Sequence, residues 1–203
     1  MMELSATTSA SPEAAGLHAP AVARVRAMLN GLIAEHRLPG AVALVMRRGA
    51  LGWFEALGMQ DAAHGTAMRR DAIFRIYSMT KPIVSVAVMQ LFEQGRVRLG
   101  DPVARHLPEF AHTPLGIEID GRLQLVAPPR AMTVHDLLRN TAGLTYEFLP
   151  PSAVRKAYVE EKIASRQRSN AEFCATLAHL PLMHSPGSIW EYSRATDVLG
   201  RLV

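Results

Sequence analysis

Cysteine and lysine are the scarcest informative residues in this 203-residue sequence. Cys174 is the only cysteine, so no disulfide can form within the chain. It lies in the apolar stretch AEFCATLAHL, which predicts a place in a helix core and not a catalytic thiol. Only 3 of the 22 basic residues are lysines. Lys81 is one of them, and its position needs a chemical explanation.

Several functional classes are excluded because their signatures are missing. The net charge of +4 is spread along the chain without a run of five basic residues, so we expect no nucleic-acid partner. No window approaches 18 uninterrupted apolar residues, which argues against a membrane span. The start, MMELSATTSASPEAAGL, lacks the basic and apolar regions of a signal peptide, so we expect a cytoplasmic protein.

Metal, cofactor and common hydrolase motifs are absent from the sequence as well. The eight histidines show no His-x-His or His-Glu-x-x-His spacing, and the pairs His106/His112 and His179/His184 are not accompanied by the cysteine pair of a zinc motif. There is neither a glycine-rich phosphate loop nor the G-x-S-x-G turn of α/β-hydrolases. We therefore expect no metal and no cofactor.

Hydrophobic periodicity predicts a flexible lead over residues 1–18 and one mixed helix-and-strand domain over 19–203. The predicted order is an amphipathic helix ending at Pro39-Gly40, strands at 41–47 and 51–57, an apolar helix from about 80 to 94, a hairpin over 115–126 turning at Asp120-Gly121, and helices at 133–138, 152–167, 171–180 and from 195 onward. The helix at 80–94 is apolar nearly all round, which places it in the core. Pro82 predicts its start near Ser78, and Gly95 is its predicted C-cap. The predicted N-caps of the helices at 133–138 and from 195 onward are Thr133, with Asp136 in the first turn, and Ser193. The last helix reaches Val203 without a capping residue, so we expect that a longer protein continues there.

Ser78 and Lys81, in RIYSMTKPIVSVAVMQLF, stand at the start of this most apolar helix. With 11 serines and 3 lysines in the chain, an S-x-x-K pair would arise by chance about 0.16 times. Residues three apart face the same side of a helix, so Lys81 can reach the Ser78 hydroxyl. A structural alternative is that Ser78 caps the helix and Lys81 extends into solvent.

A neutral lysine in this position would activate the serine. Its pKa must then fall from about 10.4 to about 7, which costs about 4.6 kcal/mol. A helix N-terminus disfavours a cation by only ~0.3–2 kcal/mol, whereas burial can lower a lysine pKa by ~3–5. We therefore expect desolvation by the apolar helix to dominate. Arginine could not do this, because its guanidinium stays protonated.

Three ordered blocks resemble the serine β-lactamase-related family, which comprises class C β-lactamases, DD-peptidases and family VIII carboxylesterases. They are FRIYSMTKPIVSVAVMQLFEQGRVRLGDPV, TVHDLLRNTAGL and PGSIWEYSRATDVLGRL. Together with LPGAVALVMRRGALGWFEALG, which is similar to the family's first strand pair, the resemblance covers residues 20–203. It implies an α+β fold of the serine β-lactamase/transpeptidase type: an antiparallel sheet flanked by helices, a helical region over the site, and further strands beyond Val203.

The same resemblance implies that Ser78 is the acylated nucleophile, Lys81 its proton partner and Tyr192 a phenolate base. A nearby cation lowers a phenol's pKa, so Tyr192 could take the Ser78 proton and later activate water. Further aromatic and basic side chains near these blocks are candidate substrate contacts, although a core role is the alternative for each aromatic residue. These candidates are Tyr77, Tyr146, Phe148, Trp190 and Arg194.

Two departures from the family pattern bear on the substrate. In class C β-lactamases and DD-peptidases the tyrosine motif is Tyr-x-Asn, but here Arg194 takes the place of the asparagine. The family's third motif, Lys/His/Trp-x-Gly, does not follow within this sequence, and its strand provides one of two oxyanion-hole donors. Losing one such donor typically costs ~10²–10³ in rate.

These features predict a serine hydrolase that cleaves small carboxylic esters through an acyl-serine intermediate. Three alternatives stay open: a β-lactamase or DD-peptidase, an acyltransferase, and an inactive fragment without the third motif. The expected partner is a small ester or a β-lactam-like molecule, and the sequence does not indicate an oligomeric state.

Overall fold

Two structural units, Met1–Arg75 and Ile76–Val203, make up the chain. The computed structural model describes residues 8–120 and 122–203. All residues predicted for the site lie in the second unit. The division into a lead over 1–18 and one domain stays a prediction. Within that lead, residues 8–9 pair with a strand and Ala15 is buried, while residues 1–7 lie outside the described residues.

The first unit holds the predicted helix and strand pair, together with two short strands that the periodicity did not predict. Strand β3 is central, with β1 parallel on one side and β2 antiparallel on the other, and β4 pairs with its far end. The Arg26 guanidinium of α1 pairs with the Glu55 carboxylate of β3. The elements are β1 (Thr8–Ser9), α1 (Ala19–Ala34), β2 (Gly40–Arg47), β3 (Ala50–Asp61) and β4 (Thr66–Ala67).

The second unit is mainly helical and holds the largest group of buried apolar side chains. Its elements are α2 (Thr80–Glu93), β5 (Leu115–Ile119), β6 (Arg122–Val126), α3 (Val134–Leu138), α4 (Ala153–Glu160), α5 (Asn170–His179) and α6 (Ala195–Leu202). Strands β5 and β6 form the expected hairpin, and Asp120 has a left-handed φ of 51° at its turn. Gly121, the other predicted turn residue, lies outside the described residues. Cys174 is fully buried, and burial raises the pKa of its thiol to about 12.

The start of α3 is fixed as the sequence predicted. Thr133 and Asp136 form a capping box, in which each side chain accepts a hydrogen bond from the other residue's backbone N–H. Burial raises the pKa of Asp136, but its bonds with Arg130, Thr133 and Arg139 outweigh burial and hold it well below its usual range. Thr141 also donates to this carboxylate, at 3.1 Å. The ionised Asp136 therefore anchors the beginning of the loop that carries Tyr146.

The expectation that α2 is buried on all sides is wrong for this chain. The helix packs against α6, and Val88 is its only buried residue, whereas Ile83 and Val86 are 60% and 58% exposed. Its start agrees with the prediction, because Pro82 lies in the first turn and Gly95, with φ 70°, follows the C-terminus. An apolar pattern shows that every face of a helix can be buried. A face is buried only where another element packs against it, and in α2 this element is α6.

Two helix boundaries differ from the predicted ones. Helix α4 ends at Glu160, not near residue 167, because Lys162 adopts a left-handed φ of 52° that stops it. The N-cap of α6 is Arg194, one residue after the predicted Ser193, although the Ser193 hydroxyl still accepts a hydrogen bond from the Ala195 N–H. The shorter α4 leaves residues 161–169 as a loop that forms one wall of the site.

Candidate active site

Ser78 lies in a single 3₁₀ turn, Tyr77–Met79, that leads directly into α2. Tyr77 has a φ of 46°, which is uncommon for a residue with a side chain. Its left-handed backbone changes the chain direction immediately before Ser78, whose hydroxyl is exposed. The nucleophile candidate is therefore accessible, at the end of a helix rather than inside it.

The Lys81 ammonium meets Ser78 as the S-x-x-K spacing predicted. Its Nζ atom donates to Ser78 Oγ at 3.3 Å and to the Tyr146 hydroxyl at 3.3 Å. It also lies 4.4 Å from the centre of the Tyr192 ring, within the range of a cation–π interaction. Lys81 is half-buried and does not extend into solvent, so the structural alternative for this residue is wrong.

Tyr192 approaches the same hydroxyl from the segment before α6. Its phenol donates to Ser78 Oγ at 2.5 Å. The neighbouring Lys81 ammonium, and then the bond with Ser78, lower the pKa of Tyr192 below its ordinary value, while slight burial opposes them. A phenol with a lowered pKa in contact with a serine has the geometry and the acidity shift of a general base.

The charge on Lys81 differs from the sequence-based expectation. Burial lowers the pKa of Lys81, but its polar contacts with Tyr192 and Tyr146 raise it by more, so the pKa lies above its ordinary value. The expectation that desolvation neutralises this lysine is therefore wrong. Helix α2 is largely exposed, and two phenols supply the polar environment that a cation prefers. Lys81 is a fixed positive charge that makes Tyr192 more acidic.

Tyr146 has a role that sequence reasoning missed. It was a candidate for substrate contact, and it does line the cavity at Ser78, but its hydroxyl also accepts the Lys81 hydrogen bond. Burial raises the pKa of Tyr146, and Lys81 only partly offsets this, so it remains a neutral phenol. Its ring stacks on Phe148, with ring centres 4.7 Å apart. The pattern TYEF gave no signal for this contact, because 65 residues separate Tyr146 from Lys81.

Arg194, in the place of the family's asparagine, is held by an ion pair. Its Nη2 atom lies 2.7 Å from Glu147 Oε1, and its guanidinium stands 4.7 Å from the centre of the Tyr146 ring. Both partners of the pair are only 17% exposed. The positive charge of Arg194 is thus compensated by Glu147, and its planar group supports the ring that contacts Lys81.

Two cavities open at Ser78. The larger, about 570 Å³, brings together four of the candidate contact residues with Ser78 and Tyr192. These four are Tyr77, Tyr146, Phe148 and Arg194. Trp190 lines neither cavity and is 66% exposed, so the geometry does not support the prediction that it contacts substrate.

The second cavity, about 430 Å³, adds Lys81 to the lining residues. Asn170 and Asp197, two polar residues that sequence reasoning did not single out, line both cavities. Desolvation by the surrounding protein raises the pKa of Asp197, and the nearby positive charges of Arg194 and Lys81 oppose that rise. Asp197 stands in the first turn of α6, where an acidic residue also matches the helix dipole.

No group of three or more His, Cys, Asp or Glu side chains in residues 8–120 and 122–203 is arranged to hold a metal ion. Within the same described residues, no helix has the length and apolar character needed to cross a membrane.

Comparisons with known proteins identify the family and the fold. The Beta-lactamase family model matches residues 25–203. Esterase EstB of Burkholderia gladioli is 39% identical over 198 residues, which are 96% of this chain and 48% of the esterase. The solved structure of EstCE1, described as a hydrolase with promiscuous acyltransferase activity, is 32% identical, covers 89% of this chain and 45% of its own, and has a TM-score of 0.76.

Unliganded simvastatin synthase (LovD) from Aspergillus terreus is similar as well, at 25% identity and a TM-score of 0.74, over 89% of this chain and 47% of the synthase. The chain thus spans about half the length of each of these three proteins. The family match extends over most of the sequence and includes every residue placed around Ser78. This chain belongs to the Beta-lactamase family, with the α+β fold of the serine β-lactamases and transpeptidases.

Proposed function

We propose that the protein is a serine hydrolase that cleaves small carboxylic esters through an acyl-serine intermediate. The observation that carries the proposal is the convergence of Tyr192 and Lys81 on the Ser78 hydroxyl, at 2.5 and 3.3 Å. A serine hydroxyl is a weak nucleophile until a base removes its proton. Tyr192, with its lowered pKa, is that base, and Lys81 is the cation that stabilises its phenolate.

The acylation step follows from this geometry. When Tyr192 is a phenolate, the hydrogen bond reverses and Ser78 donates to it. Ser78 Oγ attacks the ester carbonyl carbon while its proton passes to Tyr192. The tetrahedral intermediate then collapses, the bond to the alcohol oxygen breaks, and the alcohol leaves with the proton from Tyr192. The products of this step are the free alcohol and an ester of Ser78.

Deacylation repeats the sequence with water. Tyr192, again a phenolate, takes a proton from a water molecule that attacks the acyl carbonyl, and then returns the proton to Ser78 Oγ as the acid leaves. The backbone N–H of Ser78 is one of the two oxyanion donors that the family resemblance implies. The Tyr146, Phe148 and Tyr77 rings in the larger cavity offer an apolar surface for a short acyl chain.

Two observations rank the other substrates and acceptors. Arg194 pairs with Glu147 where an asparagine amide would bind the amide of a β-lactam or peptide, which disfavours those substrates. Acyl transfer to an alcohol is the second candidate, because EstCE1 and LovD are described as an acyltransferase-capable hydrolase and a simvastatin synthase. The chemistry differs only in whether water or an alcohol accepts the acyl group.

A fluorophosphonate probe tests the proposal on the 203-residue chain. We expect the probe to label Ser78, as shown by mass spectrometry of the modified peptide, and p-nitrophenyl butyrate to be hydrolysed faster than nitrocefin. Added 1-butanol would yield butyl butyrate if transfer competes with hydrolysis. A folded chain that takes up no probe, or takes it up at another residue, would contradict the proposal and support the inactive-fragment alternative.

A further inference from the structure

The two phenols at Lys81 are carried by two chain segments that run side by side. We call residues 140–149 the Tyr146 segment and residues 183–194 the Tyr192 segment. Backbone bonds join them: the Met183 N–H donates to the Gly143 carbonyl at 2.7 Å, and the Glu191 N–H to the Asn140 carbonyl at 2.9 Å. Neither bond reaches the phenols themselves, so further contacts must fix the ends of the segments next to the site.

One such contact is the Arg194–Glu147 ion pair, and a second guanidinium, which is buried, supplies further ones. Arg155, on α4, is 8% exposed, and its Nε atom donates to Thr145 Oγ1 at 3.0 Å. Its Nη2 atom donates to Glu191 Oε2 at 2.8 Å, and Nη1 to the Pro150 carbonyl at 2.6 Å. Thr145 directly precedes Tyr146, and Glu191 directly precedes Tyr192. A single side chain therefore holds the residue before each phenol.

The neighbours of the Glu191 carboxylate keep it ionised although its side chain is only 16% exposed. It also contacts His184 Nε2, at 3.0 Å, on the Tyr192 segment itself. Burial raises the pKa of Glu191, but its hydrogen-bond partners outweigh burial and keep it below its ordinary value. Arginine is the side chain suited to meet three acceptors at once, because its donors form a rigid planar fork that lysine does not have.

We propose that Arg155 is a positioning residue for the reaction, which sets the placement of Tyr192 and Tyr146 around Lys81 through Thr145 and Glu191. Arg155 lines neither cavity at Ser78, so it acts through the two tyrosines and not on a substrate. The inference rests on the proposed function for its kinetic consequence. Its structural consequence, the position of Tyr192 beside Lys81, is measurable without turnover.

The test uses Arg155→Lys, which keeps the charge, and Glu191→Gln, which keeps the size and an acceptor, in the 203-residue chain. Each variant should fold, by circular dichroism, and react about 10- to 100-fold more slowly with a fluorophosphonate, since small misplacements of reacting groups cost that much. The ¹³Cζ resonance of Tyr192 should titrate at higher pH than in the parent chain, because the phenol moves away from the ammonium. Tyr192→Phe assigns the resonance.

Arg105→Lys is the matched control. Arg105 also pairs with a buried carboxylate, Asp101, but this pair contacts neither tyrosine segment. The Arg105→Lys variant should therefore react with the probe at the parent rate and show the same Tyr192 titration. The proposal is overturned if Arg155→Lys or Glu191→Gln folds and keeps the Tyr192 titration of the parent, whatever happens to labelling. A parent chain that takes up no probe refutes the proposed function instead, and the titration still decides the positioning role.

Discussion

Ser78→Ala is expected to lower the rate of p-nitrophenyl butyrate hydrolysis by a factor of about 10³ or more. The substitution removes the oxygen to which both Tyr192 and Lys81 donate a hydrogen bond, so no acyl-enzyme can form. Loss of a nucleophile that acts as a unit with its base removes nearly all of their joint contribution. Initial rates at saturating substrate, with circular dichroism as a check on folding, provide the measurement.

Ser85→Ala is the matched control for Ser78→Ala. Ser85 lies on the same helix, one turn after Lys81, and its hydroxyl donates to the Lys81 carbonyl at 2.9 Å. It lines neither cavity at Ser78, so this variant should hydrolyse the ester at the parent rate. Turnover that survives in Ser78→Ala would remove the acyl-serine route from consideration.

Tyr192→Phe should lower the rate of acylation by about 10²–10⁴, the usual contribution of a general base. The pH dependence carries the more specific signature. A base acts only when deprotonated, so the parent rate should rise with pH and level off above the pKa of Tyr192, which lies below the ordinary tyrosine value. In Tyr192→Phe this rise should be absent. Stopped-flow release of p-nitrophenol between pH 6 and 10 measures both effects.

Tyr158→Phe is the control that deletes the same atom elsewhere. Tyr158 is completely buried and lines neither cavity at Ser78, so it cannot accept the Ser78 proton, and the rise of the rate with pH should persist in Tyr158→Phe. If Tyr192→Phe keeps the parent pH profile, Tyr192 is not the base, and another group must accept the Ser78 proton.

Local signals in the sequence were sufficient for most of the helices and strands and for the pair Ser78 and Lys81. Pro82 and Gly95 mark the two ends of α2, and the Thr133–Asp136 capping box marks the start of α3. Each of these residues affects the backbone within one helical turn of itself. The S-x-x-K spacing likewise places Ser78 and Lys81 on one side of a turn. Such features depend on neighbours three or four residues away, which a sequence displays directly.

The residues that complete the site are brought together over long separations, and the sequence gives no local signal for them. Tyr146 reaches Lys81 across 65 residues, and Arg155 reaches Glu191 across 36. The expected burial of α2 was wrong for the same reason, since an apolar pattern does not say what packs against it. Because α2 is exposed, the expected lowering of the Lys81 pKa by apolar neighbours was wrong as well. The contacts of Lys81 with Tyr192 and Tyr146 keep it charged.

The central claim is that Lys81 stays positively charged and makes Tyr192 the more acidic phenol. Titration of the tyrosine ¹³Cζ resonances tests it directly, in the parent chain and in Lys81→Met. We predict that Tyr192 ionises below about 10, the ordinary tyrosine value, and at a lower pH than Tyr146 and Tyr158. In Lys81→Met the midpoint of the Tyr192 titration should move upward. A Tyr192 midpoint at or above that value, or one that is the same in Lys81→Met, would contradict it.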